Sequence, residues 1–247
     1  MDMERITLFD KRAWKIFLSA GEVVEVRIPK GFGKLFNCKD YLRGTIAGYF
    51  DNQDDFIKWV KEADRSLKHE GIYFTLQVID SRVLGRAFNR LKQSQLTTAD
   101  NNVLAYRWLP IDVDPVRPSG VSSSDTELKE SLTLRDKVAV WLMAEQGFPA
   151  PIRAMSGNGG HLLFRLPDLP VNEENKSFIR NVINITAEHF DTDRIKIDRT
   201  VFNPARIWKL YGTKTSKGDV IPAGQYREAR PHRIAYIERL GDENGNG

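Results

Sequence analysis

From Val103 to Val201 the chain alternates apolar extended runs with helical ones, and the order of these segments constrains the fold more than any other feature. "VLAYRWLPIDVD" reads as a strand. "SSDTELKESLTLRDKVAVWLMAEQG" reads as a helix, opened by Ser124 with Glu127 three residues on and closed by Gly147. "PIRAMS" and "HLLFRL" are short strands joined by the glycine-rich "GNGG", a hairpin signal. "NEENKSFIRNVINITAEHF" is a second helix with Phe178, Val182 and Ile185 on its apolar face, and "IKIDRTV" is a fourth strand containing Asp198. The expected fold class is therefore α+β, with a β-α-β-β-α-β module of the ferredoxin-like or RNA-recognition-motif type over residues 103–240.

Residues 1–102 read as a further α/β module packed with it, and 241–247, "GDENGNG", as a linker stub. In the first module "EVVEVRI", "RGTIAGYF" and "IYFTLQVI" are strands. "DDFIKWVKEADRSLKHEG" has helical spacing at Phe56, Val60, Ala63 and Leu67 and closes on Gly71. In "SRVLGRAFNRLK", Arg82, Arg86 and Arg90 fall at i, i+4 and i+8; on a helix they form a basic stripe able to follow a template backbone, or a solvated face.

The topology makes a geometric claim. A ferredoxin-like sheet has the spatial order fourth, first, third, second, so the end of the first strand lies beside the starts of the third and fourth. Asp112 and Asp114 end the first strand, His161 begins the third and Asp198 lies in the fourth. In an extended chain, side chains at i and i+2 share a face, which sets Asp112 beside Asp114. Two carboxylates that close call for a cation between them. A strand end running into an Asx-Pro turn gives the same letters. With Asp198 alongside, the three carboxylates make a site able to hold two divalent ions, Mg²⁺ or Mn²⁺, one on an attacking hydroxyl and one on phosphates.

The turn Ser156-Gly157-Asn158-Gly159 leads into His161. Its glycines let backbone N–H groups converge as an anion nest, to which the serine and imidazole add donors, and a triphosphate suits that chemistry. A tight hairpin with a surface histidine is the bland alternative. Arg206 and Lys209 follow in "NPARIWKLYGT", Arg as a fork and Lys as a point charge on phosphate, or else as a basic strand edge.

Composition narrows the setting. Net charge is +4, yet residues 196–239 alone hold ten Lys or Arg against four Asp or Glu, which suits a phosphate-rich partner. The single cysteine, Cys38, allows no internal disulfide and no zinc cluster, so no zinc is expected. The charged N-terminus reads as neither a signal peptide nor a membrane span, and the expectation is a cytoplasmic protein without a membrane partner.

D-x-D, then S-G-x-G-x-H, then an aspartate on a strand, on an RNA-recognition-like module, resembles the archaeo-eukaryotic primase superfamily. It is most similar to primase-polymerase domains of phages, plasmids and CRISPR-associated systems. The resemblance spans about residues 45–235. It implies the primase fold and a DNA primase-polymerase, that is, a nucleotidyltransferase serving DNA replication by primer synthesis or extension. Asp112, Asp114 and Asp198 would be metal carboxylates, with His161 beside them as a catalytic residue. Ser156 and His161 would contact the incoming triphosphate. Implied partners are a DNA template or primer, nucleoside triphosphates of either sugar, and other domains of a longer chain. Tyr73 is one candidate gate against the wrong sugar. Two other classes compete: a metal-dependent nuclease or replication initiator, which usually needs a histidine pair and a tyrosine nucleophile, and a catalytically silent RNA-binding module.

Overall fold

A computed structural model describes residues 5–36 and 38–240 of the chain; the expected linker stub lies outside them. The elements run α1 (Lys11–Phe17), β1 (Val24–Gly33), β2 (Leu42–Phe50), α2 (Gln53–Ser66), β3 (Leu67–Lys68), β4 (Tyr73–Thr75), β5 (Val78–Ile79), β6 (Lys92–Gln93) and β7 (Val103–Pro115). There follow α3 (Asp125–Ala144), β8 (Ile152–Met155), β9 (Gly160–Pro170), α4 (Glu173–Phe190), β10 (Ile195–Ile197), β11 (Ile207–Lys209), β12 (Lys214–Thr215), β13 (Arg233–Ile234) and β14 (Tyr236–Arg239).

Two antiparallel sheets carry the fold, a mixed α/β architecture. One has the order β11-β4-β1-β2-β6, with β3 also on β1; the other has the order β10-β7-β9-β8-β14, with β5 also on β7. Within the second, β10-β7-β9-β8 is the fourth-first-third-second arrangement expected from the sequence. Helix α3 starts on Ser124, whose hydroxyl accepts from the Glu127 amide while the Glu127 carboxylate accepts from the Ser124 amide, a reciprocal cap. The first five residues of β9 are all buried, because helices α3 and α4 cover one face of this sheet and the other sheet covers the opposite face. Phe17 links the two, its ring 5.6 Å from that of Phe74 on β4 and 5.2 Å from that of Trp108 on β7.

Strands cross between the halves of the chain: β11 pairs with β4 of the first half, and β5 with β7 of the second. That crossing divides "IYFTLQVI", expected as one strand, into β4 and β5 in different sheets. Gln77 makes the step. Its side chain accepts from the Arg107 and Trp108 amides and donates to the Trp108 carbonyl, taking over part of the ladder itself.

Three other expectations are corrected. Helix α2 ends at Ser66 rather than near Gly71, because Leu67 and Lys68 pair with Gly33 and Phe32 of β1. On α4 the buried stripe is Ile179, Ile183 and Ala187, while Phe178 and Ile185 face solvent at 41% and 55% exposure. Both stripes have helical spacing, and only packing distinguishes them. The arginine stripe does not exist: Ser81–Arg86 is a 3₁₀ turn of six residues, and Arg90 lies beyond it. With three residues per turn, i and i+4 no longer share a face. The Asp80 carboxylate caps the turn by accepting from the Arg82 amide and guanidinium, and Arg86 donates to Tyr49, Thr97 and Asn102.

Among the described residues no helix is long and apolar enough to cross a membrane.

Candidate active site

Where β11 of one sheet faces the ends of β7 and β9 in the other, a cavity of about 200 Å³ opens; Asp112, Asp114, Asn158, His161, Asp198 and Arg206 are among its lining residues. Tyr73, Ser156, Lys209, Thr215 and Lys217 complete its polar wall. This volume is below the roughly 300–1,000 Å³ of pockets that enclose a small molecule. It suits one end of a ligand, with the remainder outside.

Ladder register brings the carboxylates together. Asp112 stands directly opposite His161 across β7 and β9, and the Asp198 amide donates to the Asp112 carbonyl at 2.9 Å. Directly opposed residues share a face of the sheet, so Asp112, Asp114, His161 and Asp198 converge. Asp198 itself lies one residue past the end of β10, not within the strand as expected.

The pair Asp112 and Asp114 is electrostatically unbalanced. Burial, then the neighbouring Asp112 charge, pushes the Asp114 carboxyl up to about 6 despite Arg117 at 3.7 Å. Burial also opposes ionisation of Asp112, but the nearness of His161, with Lys217 and Arg206 beyond, holds its carboxyl below the ordinary value. Asp112 Oδ1 is buried without a hydrogen-bond partner, the His161 Nε2 atom standing 3.4 Å away. An orphaned carboxylate oxygen beside a second, repelled carboxylate fits a bound cation. Asp198 is already engaged: Thr200 donates to it twice, and Arg206 Nη2 lies 3.1 Å from its Oδ2. As they stand, no group of three or more His, Cys, Asp or Glu among the described residues encloses a metal position.

Hydrogen-bond donors line the same cavity. Asn158 accepts from the Ser123 amide through Oδ1, which fixes the amide's orientation and leaves its buried Nδ2 without a partner. His161 Nδ1 lies 2.9 Å from the Tyr211 hydroxyl, which accepts from Trp208 Nε1 at 2.8 Å. That hydroxyl's own proton then goes to Nδ1, and the hydrogen-bond network assigns Nε2–H to the cavity side.

The turn itself differs from an open anion nest. The Asn158 and Gly159 amides both donate to the Ser156 hydroxyl, and the Gly157 amide points at Met155 Sδ. Ser156 shapes the turn, and its hydroxyl is occupied there. Gly157, with φ at +105°, packs on Thr215, and any side chain at Gly159 would collide with the Asp114 carboxylate. Lys209 lines the cavity, but its amine is buried against Thr213 Oγ1 and the Lys214 carbonyl. Burial pushes its pKa down to about 7, so it is a weaker point charge than expected.

Several site residues carry no sequence signal of their own. Lys217, in the short loop "KTSKG", and Thr215 reach the cavity through the antiparallel pairing of β12 with β13. Arg117 was findable, standing three residues after Asp114 beyond the proline turn. Tyr211 supports His161 from the turn that follows β11, and no sequence spacing relates them.

No protein-family model matches the chain, and no curated protein matches it. Among solved structures, it is similar to the polymerase domain of Mycobacterium tuberculosis Ligase D, in complex with DNA. The match covers 87% of this chain and 82% of that one, with 12% identity and a TM-score of 0.44.

Proposed function

We propose that this chain is a template-directed nucleotidyltransferase, a primase-polymerase that transfers nucleotides from nucleoside triphosphates to a primer end or an initiating nucleotide. One observation supports this above the others: Asp112, Asp114 and Asp198 line the same small cavity as Asn158, His161, Arg206 and Lys217. Acids and phosphate donors lining one cavity are the charge pattern that phosphoryl transfer needs.

Asp112 and Asp114 would hold divalent ions, Mg²⁺ or Mn²⁺, joined by Asp198 once Arg206 turns to the triphosphate. Bound there, such ions activate a hydroxyl and neutralise phosphate charge. The chain's own groups do the rest. Asn158 Nδ2 and His161 Nε2–H donate to phosphate oxygens, and Arg206 and Lys217 offset charge on the leaving pyrophosphate. The 3′-hydroxyl attacks the α-phosphorus, the bond from phosphorus to the bridging oxygen breaks, and pyrophosphate departs. Tyr73, which lines the cavity with Arg206 and Lys209, would contact the sugar.

A nuclease of this topology would want a second histidine beside His161, whereas its neighbours across the ladder are Asp112 and Ala154. A silent binding module would have no use for a buried, mutually repelling carboxylate pair. Incubation with labelled nucleoside triphosphates on primed and unprimed templates tests the proposal. Incorporation that follows the template base supports it, and hydrolysis of the template without incorporation favours the nuclease.

A further inference from the structure

The hairpin formed by β1 and β2 exposes aromatic rings that a folded core would ordinarily take in. Phe32 is 48% exposed and Tyr41 67%, and their rings stack at 5.8 Å with 23° between planes. They lie in a row of cations. Phe32 is directly opposite Arg43 on one side and Lys68 on the other, so all three share one face of the sheet. Lys34, just past the end of β1, is exposed between the buried Gly33 and Leu35. Among the described residues, the Lys34, Arg43 and Lys68 side chains have no ion-pair partner. Two residues after Lys68, the Glu70 carbonyl accepts from the Ser216 amide, and Lys217 next to Ser216 lines the cavity wall.

We infer that this face is a platform for single-stranded DNA, on which unpaired bases stack against Phe32 and Tyr41 while Lys34, Arg43 and Lys68 meet the phosphates. Exposed rings interleaved with unpaired cations match a strand that alternates π-faces with negative charge. A duplex hides its base faces, and a second copy of this chain would bring like charges together. That the bound strand is the template entering the active site rests on the function proposed above; the binding itself does not.

The test uses the full chain and a labelled oligothymidylate of about twenty nucleotides, with no nucleotide and no metal, read by fluorescence anisotropy. Phe32→Ala with Tyr41→Ala should weaken binding about tenfold or more, while Tyr41→Phe, which keeps the ring, should stay near wild type. Arg43→Gln with Lys68→Gln should shallow the salt dependence by about 0.7 for each phosphate no longer neutralised. All four side chains are on the surface, and circular dichroism checks that the variants fold. Unchanged affinity in the double alanine variant overturns the proposal. So does equal loss of duplex and single-strand binding, or ring-dependent binding of oligouridylate tighter than that of oligothymidylate. A protein that loses oligothymidylate with its rings yet incorporates no nucleotide upholds the platform and counts against the polymerase assignment alone.

Discussion

His161 Nδ1 and the Tyr211 hydroxyl are 2.9 Å apart, and this contact ties the cavity's imidazole to the turn that follows β11. Burial pushes the Tyr211 hydroxyl pKa well up, so it stays protonated and donating. Tyr211→Phe should leave the fold intact but strip partners from both Trp208 Nε1 and His161 Nδ1, at roughly 1–3 kcal/mol for an unsatisfied buried group. Urea unfolding should show that loss. Apparent KM for nucleotide should rise more than kcat falls, because the ring is loosened and its Nε2–H is kept.

Asp114 titrates the wrong way for an acid beside arginine, and its stability effect has a definite sign. With a folded pKa raised to about 6 from 3.8, its contribution is fully present below about 4 and is lost as pH rises through 6. Asp114→Asn should therefore raise the melting temperature at pH 8, with the gain shrinking towards pH 4. Mg²⁺ or Mn²⁺ should raise the midpoint of the wild type and not of the variant. A metal-independent wild type would remove the cation from this pair.

Lys209 gives the opposite pH window. Its folded pKa near 7 lies below the ordinary 10.5, so the unfolded chain holds the proton through that range and wild-type stability climbs with pH between them. Lys209→Met should be relatively most stabilising at or below pH 7 and lose that advantage towards pH 10. Denaturation series at three pH values read the slope directly.

Arg206→Ala releases Asp198 from its ion pair. KM for nucleotide should rise and turnover fall, since the triphosphate loses a charged partner, while affinity for template should hardly change. Loss of template affinity with untouched nucleotide kinetics would make Arg206 a nucleic-acid contact instead.

The parts of this molecule legible in the sequence are those fixed by period and order. The reciprocal cap at Ser124 and Glu127, the GNGG hairpin and the sheet order that brings Asp198 to Asp112 all follow from local patterns joined by one topological rule. Choices between equally periodic alternatives were not legible. Phe178 and Ile183 both sit on apolar stripes of α4, and only the packed sheet selects the second. Arg82, Arg86 and Arg90 have helical spacing, yet a turn too short for a helix scatters them. Lys217, Tyr211 and the closed Ser156 turn are contacts between distant segments, which no local spacing encodes.

In the function proposed above, Asp112 and Asp114 would hold the metal ions of a templated nucleotide transfer. That role is tested most directly by measuring incorporation of labelled nucleotide on a primed template with Mn²⁺, for the wild type and for Asp112→Asn combined with Asp114→Asn. The wild type should show template-matched incorporation, and a folded double variant should fall to about a hundredth of it or less. A well-folded double variant that keeps more than about a tenth of wild-type incorporation would contradict that role.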